Sequence, residues 1–135
     1  MTSWLRLARF VAVGCAAAAV HLGVVVLVVE TWHARPLAAN VIGWLVAFVV
    51  SFLGQHRLTF GDRSAPIARA APRFFAISAA GFAINEAAYA VVLHVTAVRY
   101  DVALGIVLVG VALMTYVLSS RWAFLRSPTA GEPSP

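Results

Sequence analysis

The sequence predicts an all-α membrane protein: four transmembrane helices formed by two parallel repeats of a two-helix hairpin, with both termini cytoplasmic. Three observations support this fold class. Of the 135 residues, 62% are hydrophobic and only 11% are charged, whereas soluble domains are about half apolar and about a quarter charged. Long segments are almost free of charge, and the two halves resemble each other at a constant spacing. A soluble domain of this size cannot bury so much apolar surface, so lipid is the expected solvent.

Four windows of the chain have the length and composition of membrane spans. Phe10–Val29, Leu37–Gln55 and Val102–Ser120 contain no charged residue, and Phe74–Val98 contains only Glu86. Each window holds about 19–25 residues, enough to cross roughly 30 Å of hydrocarbon as a helix. Because backbone groups in hydrocarbon need internal partners, we expect helices at about 10–29, 37–55, 74–98 and 102–120. They form a single domain, 1–126, and the Pro/Ser/Gly-rich segment 127–135 is expected to be a disordered cytoplasmic tail.

The basic residues predict the orientation. All ten are arginines, and with four crossings only Arg35 and Arg99 fall on one side. The other eight fall on the opposite side, which the positive-inside rule assigns to the cytoplasm; they are Arg6, Arg9, Arg57, Arg63, Arg69, Arg73, Arg121 and Arg126. Because these charges lie at membrane edges and not along one soluble surface, the pattern favours membrane lipids as partners and argues against nucleic acid.

The two halves of the chain match at one ungapped offset. Arg9-Phe10 recurs as Arg73-Phe74 (73 − 9 = 64), and the Arg-x-x-Phe motif that begins at Arg57 recurs at Arg121 (121 − 57 = 64). Further matches at this offset include Ala, Val and Ile positions between these anchors. Each unit crosses the membrane an even number of times, so the two copies share one orientation and are related by an axis along the membrane normal.

Three polar residues are expected inside the membrane. Glu86 lies in the middle of the third window, where a charged side chain costs about 2.5–3.5 kcal/mol on insertion scales. Asn85 precedes it, and His21 occupies the repeat position equivalent to Asn85. These three residues form a candidate polar pathway. The alternative is that they serve only as hydrogen-bonding contacts between helices. For Asn40, near the outer end of the second window, a capping or interface role is the favoured interpretation.

Four arginines are candidates for binding a phosphate or lipid headgroup. Arg9 and Arg73 begin the first and third helices, whereas Arg57 and Arg121 end the second and fourth, each followed three residues later by a phenylalanine. All four would ring one end of the bundle, where guanidinium groups can bind phosphate oxygens in bidentate fashion. The alternative is that they only fix the topology, which leaves the repeated aromatic residue unexplained.

Enzyme chemistry is not expected. The sequence contains no nucleophile–base pair, phosphate-binding loop or dinucleotide signature, so no catalytic residue and no cofactor are predicted. The histidines lack the spacing of a metal site. Cys15 is the only cysteine, which excludes an internal disulfide.

Several motifs together resemble the GtrA-like family of membrane proteins. The resemblance covers residues 9–124, and its motifs are Arg9–Gly14 (RFVAVG), Ser51–Phe60 (SFLGQHRLTF), Arg73-Phe74 and Tyr116–Phe124 (YVLSSRWAF). It implies a four-helix protein of the bacterial inner membrane that acts in cell-surface polysaccharide synthesis. GtrA-like proteins are thought to flip polyprenyl-phosphate-linked sugars or to support the glycosyltransferases that use them. Family members often carry asparagine where this chain has His56 and Ser120.

Three functions remain open from the sequence. The first is flipping of a polyprenyl-phosphate-linked sugar, or support of that step, by a possible homodimer, since four helices enclose little volume. The second is a non-transporting adaptor that recruits a membrane glycosyltransferase. The third is a small multidrug-type proton-coupled exporter. It is disfavoured because such exporters carry their essential glutamate in the first helix, whereas Glu86 is in the third, and because Gly54–Arg73 is a long, basic loop.

Overall fold

A computed structural model describes the backbone of residues 3–59 and 66–124, and the side chains of residues 4–59, 66–111 and 113. Within these residues all regular secondary structure is helical, which confirms the all-α prediction. The proposed tail, 127–135, and the loop residues 60–65 lie outside the described residues. There are four α-helices: α1 (Ser3–Trp32), α2 (Pro36–Gly54), α3 (Ile67–Val95) and α4 (Tyr100–Phe124). A π-helical turn, Gln55–Thr59, continues α2.

Three of these helices are long and apolar enough to cross a membrane. They are α1, α2 together with its π-helical turn, and α3. The helix α4 is apolar over Tyr100–Val111, the part whose side chains are described. Many large hydrophobic side chains on these helices point away from the protein, including Leu27, Ile77 and Val109. Such surfaces are suited to contact with lipid and unfavourable in water.

The connection between α1 and α2 is a tight turn set by local backbone preferences. His33 adopts a left-handed conformation (φ 51°) just after the last residue of α1, a common way for a helix to end. Arg35 is extended, and Pro36 occupies the first position of α2, where its fixed φ and missing N–H cost nothing. The first hairpin therefore closes with few residues between its helices.

The third helix differs from the sequence expectation at both ends. It begins at Ile67, directly after Pro66, and contains Pro72, which the sequence analysis treated as a breaker. Pro72 is the sixth residue of α3, and the helix continues through it without the hydrogen bond that its missing N–H would donate. The helix ends at Val95 instead of Val98, because Thr96 is extended and its N–H closes the last turn on the Val92 carbonyl.

The helices are neighbours in chain order around the bundle. Helix α1 packs most extensively on α2, α2 also contacts α3, α3 contacts α4, and α4 returns to α1. The first hairpin is packed more closely than the second. The buried apolar core lies toward the α1–α2 and α3–α4 turns and is formed by Val25, Val28, Ala39, Tyr89, Ala103, Leu104 and Val107.

Gly43 permits the close approach of α2 to α1. A Cβ atom at this position would lie 2.7 Å from His21 Cδ2, 2.7 Å from a methyl group of Val25 and 2.9 Å from the His21 carbonyl oxygen. Two of these neighbours are ring or backbone atoms that cannot easily move. Gly43 therefore sets the separation of the two helices at the level of His21, whereas Gly23 on α1 has nothing within 4 Å of its hypothetical Cβ.

We expect Gly43→Ala to lower the free energy of unfolding in detergent by about 1–3 kcal/mol, because the added methyl group overpacks the α1–α2 contact. Gly23→Ala is the matched control and should leave stability unchanged or raise it by up to about 1 kcal/mol, owing to the better helix propensity of alanine. Thermal unfolding followed by circular dichroism measures both. Equal stability of the two variants would contradict the close approach at Gly43.

Candidate functional site

A hydrogen-bonded polar network lies between the two hairpins. His21 Nε2 on α1 is 2.7 Å from Asn40 Oδ1 on α2. The Asn40 amide nitrogen donates to Asn85 Oδ1 at 3.1 Å and to Glu86 Oε2 at 2.5 Å, both on α3. His21 and Asn40 belong to the first hairpin, and Asn85 and Glu86 belong to the second. The network therefore joins the halves of the protein.

Asn40 is the centre of this network. Its side chain is fully buried (0% exposed), and His21 and Asn85 are nearly so, at 6% and 5%. Glu86 is half-buried. The amide of Asn40 makes every hydrogen bond that links the other three side chains. One small side chain thus satisfies polar groups from two other helices.

The sequence analysis selected three of these four residues. His21, Asn85 and Glu86, proposed as an intramembrane pathway, do lie together, although only through Asn40. Asn40 itself was interpreted as a cap or interface residue, and that interpretation is wrong. Asn40 is the fifth residue of α2, whose N-cap is Arg35, and its side chain is fully buried between the helices. The sequence feature that could have indicated a buried role for Asn40 is the small residue Gly43 one turn later, because it allows close helix contact at this level.

Asn85 and Glu86 share one partner although consecutive helical side chains point about 100° apart. They can do so because the Asn40 nitrogen carries two hydrogens, one for each oxygen. Among the described residues the ion pairs are those of Arg99 with Glu30 and Asp101, so no arginine neutralises Glu86 there. The carboxyl group is held inside the bundle by a neutral amide.

Aromatic side chains close the α2–α3 contact on the side of the network away from the α1–α2 turn. Trp44, one turn after Asn40, donates from Nε1 to Ser78 Oγ at 2.9 Å and stacks on Phe82 with ring centroids 4.5 Å apart. The contact continues with Phe48 and Phe52 of α2, whose rings lie 5.3–5.8 Å from those of the Phe74–Phe75 pair of α3. These contacts hold the Trp44 ring between α2 and α3.

The arginine-rich end, defined by Arg9, Arg57 and Arg73, is organised by the π-helical turn. Arg9 Nη1 donates to the Leu58 carbonyl at 3.1 Å, one of the last carbonyls of a helical segment, which lack helical donors. Gln55 Nε2 donates to the Phe10 carbonyl at 3.1 Å, and Gln55 Oε1 accepts from Thr59 Oγ1 at 2.6 Å. These bonds tie the start of α1 to the end of α2.

Among the four arginines proposed to bind phosphate, the side chains of Arg9, Arg57 and Arg73 are described, and no shared contact joins these three. Arg9 is bound to the π-helical turn, while Arg57 and Arg73 are exposed. Arg121 lies in α4, but its side chain is outside the described residues, as are the side chain of Phe124 and the whole of Phe60. The proposal that all four ring one end therefore stays a prediction.

The opposite end of the bundle carries an ionic cluster, the Glu30 cluster, formed by Glu30, Arg99, Tyr100 and Asp101. Glu30 Oε1 accepts from Arg99 Nη2 at 3.3 Å and from Tyr100 Oη at 2.5 Å. Arg99 Nε also lies 3.1 Å from Asp101 Oδ1. The Asp101 carboxylate, with help from Tyr100 and Glu30, raises the pKa of the Arg99 guanidinium. This cluster links the end of α1 to the α3–α4 turn.

The described residues offer no obvious metal site. In the ranges with described side chains, no three His, Cys, Asp or Glu residues converge on a common point. Cys15 is exposed on α1 and has no part in the polar network. The chemistry of the site is therefore that of neutral amides, an imidazole and one carboxyl group, which can exchange hydrogen bonds with hydroxyl groups.

Comparison with protein families confirms the resemblance seen in the sequence. A family described as "GtrA/DPMS, transmembrane domain" matches residues 9–124. The chain belongs to this family. No characterised protein and no solved structure is significantly similar to it. Membership in the GtrA/DPMS family, together with the transmembrane-type helices, makes the chain a membrane protein and indicates a role in lipid-linked sugar and polysaccharide synthesis.

In this GtrA/DPMS protein we expect Asn40→Ala to be far more damaging than Asn85→Ala. The first change removes three hydrogen bonds and the second removes one. Interhelical hydrogen bonds in membranes are worth about 0.6 kcal/mol on average and about 1.7 at most, so the losses should be roughly 2–4 and about 1 kcal/mol. Equilibrium unfolding in mixed micelles measures both variants. Equal losses would contradict a central role for Asn40.

Proposed function

We propose that the protein translocates polyprenyl-phosphate-linked sugars across the bacterial inner membrane, or supports that step, in cell-surface polysaccharide synthesis. Family membership supplies the general process. The observation that carries the finer proposal is the polar network between the hairpins, because a sugar crossing hydrocarbon needs hydrogen-bonding partners on its way. His21, Asn85 and Glu86, with Asn40, supply donors and acceptors at one depth.

A duplicated hairpin, with the site between its copies, is part of the proposal. Helix α2 begins at Pro36 and α4 at Tyr100, which are 64 residues apart (100 − 36 = 64). Burial follows the same offset, since both members of five equivalent pairs are buried: His21/Asn85, Val25/Tyr89, Ala39/Ala103, Asn40/Leu104 and Gly43/Val107. This agreement supports a parallel repeat, and in such proteins the site lies where the repeats meet.

The lipid phosphate would bind at the arginine-rich end. Arg57 and Arg73 expose guanidinium groups there, and such groups bind phosphate oxygens through paired hydrogen bonds. Arg9 and Arg121 are assigned to the same headgroup site. The excess of arginines puts this end, and both termini, on the cytoplasmic side, where the lipid-linked sugar enters. A homodimer would supply the enclosed volume that four helices lack, and a membrane glycosyltransferase would make or use the sugar lipid.

Reconstitution into vesicles with a fluorescent polyprenyl-phosphate sugar tests the proposal. The wild-type protein should accelerate flipping, and Glu86→Gln should slow it by about 10-fold or more, if the carboxylate contributes about 1.4 kcal/mol to moving the sugar. Glu30→Gln is the matched acid control at the end of the bundle. Arg57→Gln should weaken headgroup binding, whereas Arg35→Gln, at the opposite end, should not.

Flip rates equal to those of empty vesicles would contradict translocation. A competing role, recruitment of a glycosyltransferase without transport, predicts a different pattern. Glu86→Gln would then leave co-purification of the transferase in mild detergent unchanged, and flipping would be absent in the wild-type protein as well.

A further inference from the structure

The side-chain amide of Asn40 is the one group in the polar network that faces its partners with two different atoms. Its oxygen faces His21 and its nitrogen faces Asn85 and Glu86. Because this oxygen can only accept, His21 Nε2 must carry its proton and donate. Because the nitrogen can only donate, Glu86 Oε2 accepts, as an oxygen of an ionised carboxylate does. A neutral His21 with its proton on Nε2 and an ionised Glu86 therefore satisfy the observed arrangement.

The same four side chains have a second satisfied arrangement. Turning the Asn40 amide over exchanges its oxygen and nitrogen without a change of shape. The nitrogen then donates to His21 Nε2, which must be unprotonated, so the ring proton lies on Nδ1. The oxygen accepts from Glu86, which must be protonated. Asn85, also an amide, turns over in the same way and presents its nitrogen. All four groups remain paired in both arrangements.

We propose that Glu86, Asn40 and His21 form a proton-binding site, in which protonation of Glu86 inverts the Asn40 amide and moves the His21 proton from Nε2 to Nδ1. The carboxylate takes one proton from water. His21 releases a proton from Nε2 and takes one at Nδ1, so its ring stays neutral and the net uptake is one proton. No bond other than these N–H and O–H bonds changes.

The surroundings of Glu86 favour a proton as the ligand. Helix α1 presents His21 to this region, α3 presents Tyr89, and α2 presents neutral Asn40. In the described part of α4 the titratable groups are Tyr100 and Asp101, which belong to the Glu30 cluster. No described arginine pairs with Glu86. A metal cation would need about six oxygen ligands, and the network offers side-chain oxygens from only three residues.

The proton site spans the junction of the two hairpins, so uptake of a proton changes the contact between them. His21 and Asn40 lie on the first hairpin and Glu86 on the second. A protonation change on one hairpin therefore changes the hydrogen bonds made by the other. In the proposed translocation, uptake of the proton drives separation of the hairpins. This role of the proton depends on the proposed function. The proton site itself does not require that function.

The experiment is nitrogen NMR of the full-length protein in lipid nanodiscs, with ¹⁵N-labelled histidine and His21→Gln to identify the His21 signals. On acidification, His21 should change from the Nε2–H to the Nδ1–H tautomer. Glu86→Gln cannot take up the proton, so its His21 tautomer should stay constant across the pH range. Asn40→Leu, which introduces the residue found at the equivalent buried position 104, should abolish the pH dependence of the tautomer. Glu30→Gln should behave as wild type.

Five results would overturn the proposal. The tautomer could stay constant across the pH range, or its change could persist in Glu86→Gln or in Asn40→Leu. His21 could instead become doubly protonated, which would mean that the ring itself titrates. A response to NaCl but not to choline chloride at fixed pH would indicate a sodium site. Since NMR requires no transport, a failed flipping assay with the expected tautomer change would reject the proposed function and leave the proton site standing.

Discussion

The hydrogen bonds of the Asn40 amide are the interaction on which the arrangement of the two hairpins depends. Lipid is as apolar as the helix surfaces, so burial of apolar side chains gives little force for helix association in a membrane. Close packing and polar contacts must provide it. Gly43 brings α1 and α2 together at the level of His21, and Asn40, one turn earlier on α2, connects that pair of helices to α3. Without the close approach at Gly43, the His21–Asn40 hydrogen bond could not form at its present length.

The contacts between the hairpins change in character along the bundle. At the α1–α2 turn, the contacts between the hairpins are ionic, with Glu30 bound to Arg99 and Tyr100. In the middle of the bundle, the contacts are hydrogen bonds among neutral amides and one carboxyl group. Toward the arginine-rich end they become aromatic, with Trp44 stacked on Phe82. The aromatic contacts include one hydrogen bond, from Trp44 Nε1 to Ser78 Oγ, and the charged groups of the Glu30 cluster are exposed to solvent. The middle of the junction, where Asn40 is fully buried, is therefore the part where separation of the hairpins leaves a buried polar group without its partners.

Much of this architecture follows from the sequence because membrane insertion restricts the possibilities so strongly. Charge-free windows identified the helices, and the 64-residue offset put His21 level with Asn85. Asn40 was missed for a physical reason: its equivalent in the second half is Leu104, so the comparison of the halves gave no polar match. Pairing of Arg9 with the Leu58 carbonyl also had no sequence signal, since its acceptor is a backbone group whose availability depends on the π-helical turn. Pro72 was interpreted as a breaker, but α3 begins five residues before it and continues through it.

The most direct test of the account is a double-mutant cycle between Asn40 and Glu86, using Asn40→Leu, Glu86→Leu and the combined variant. Unfolding free energies in lipid nanodiscs or mixed micelles supply the four corners of the cycle. If Asn40 holds Glu86 across the hairpin junction, the coupling energy should lie between about 0.5 and 3 kcal/mol. Effects that add to within about 0.3–0.5 kcal/mol would mean that the two residues act independently. That result would contradict a network centred on Asn40.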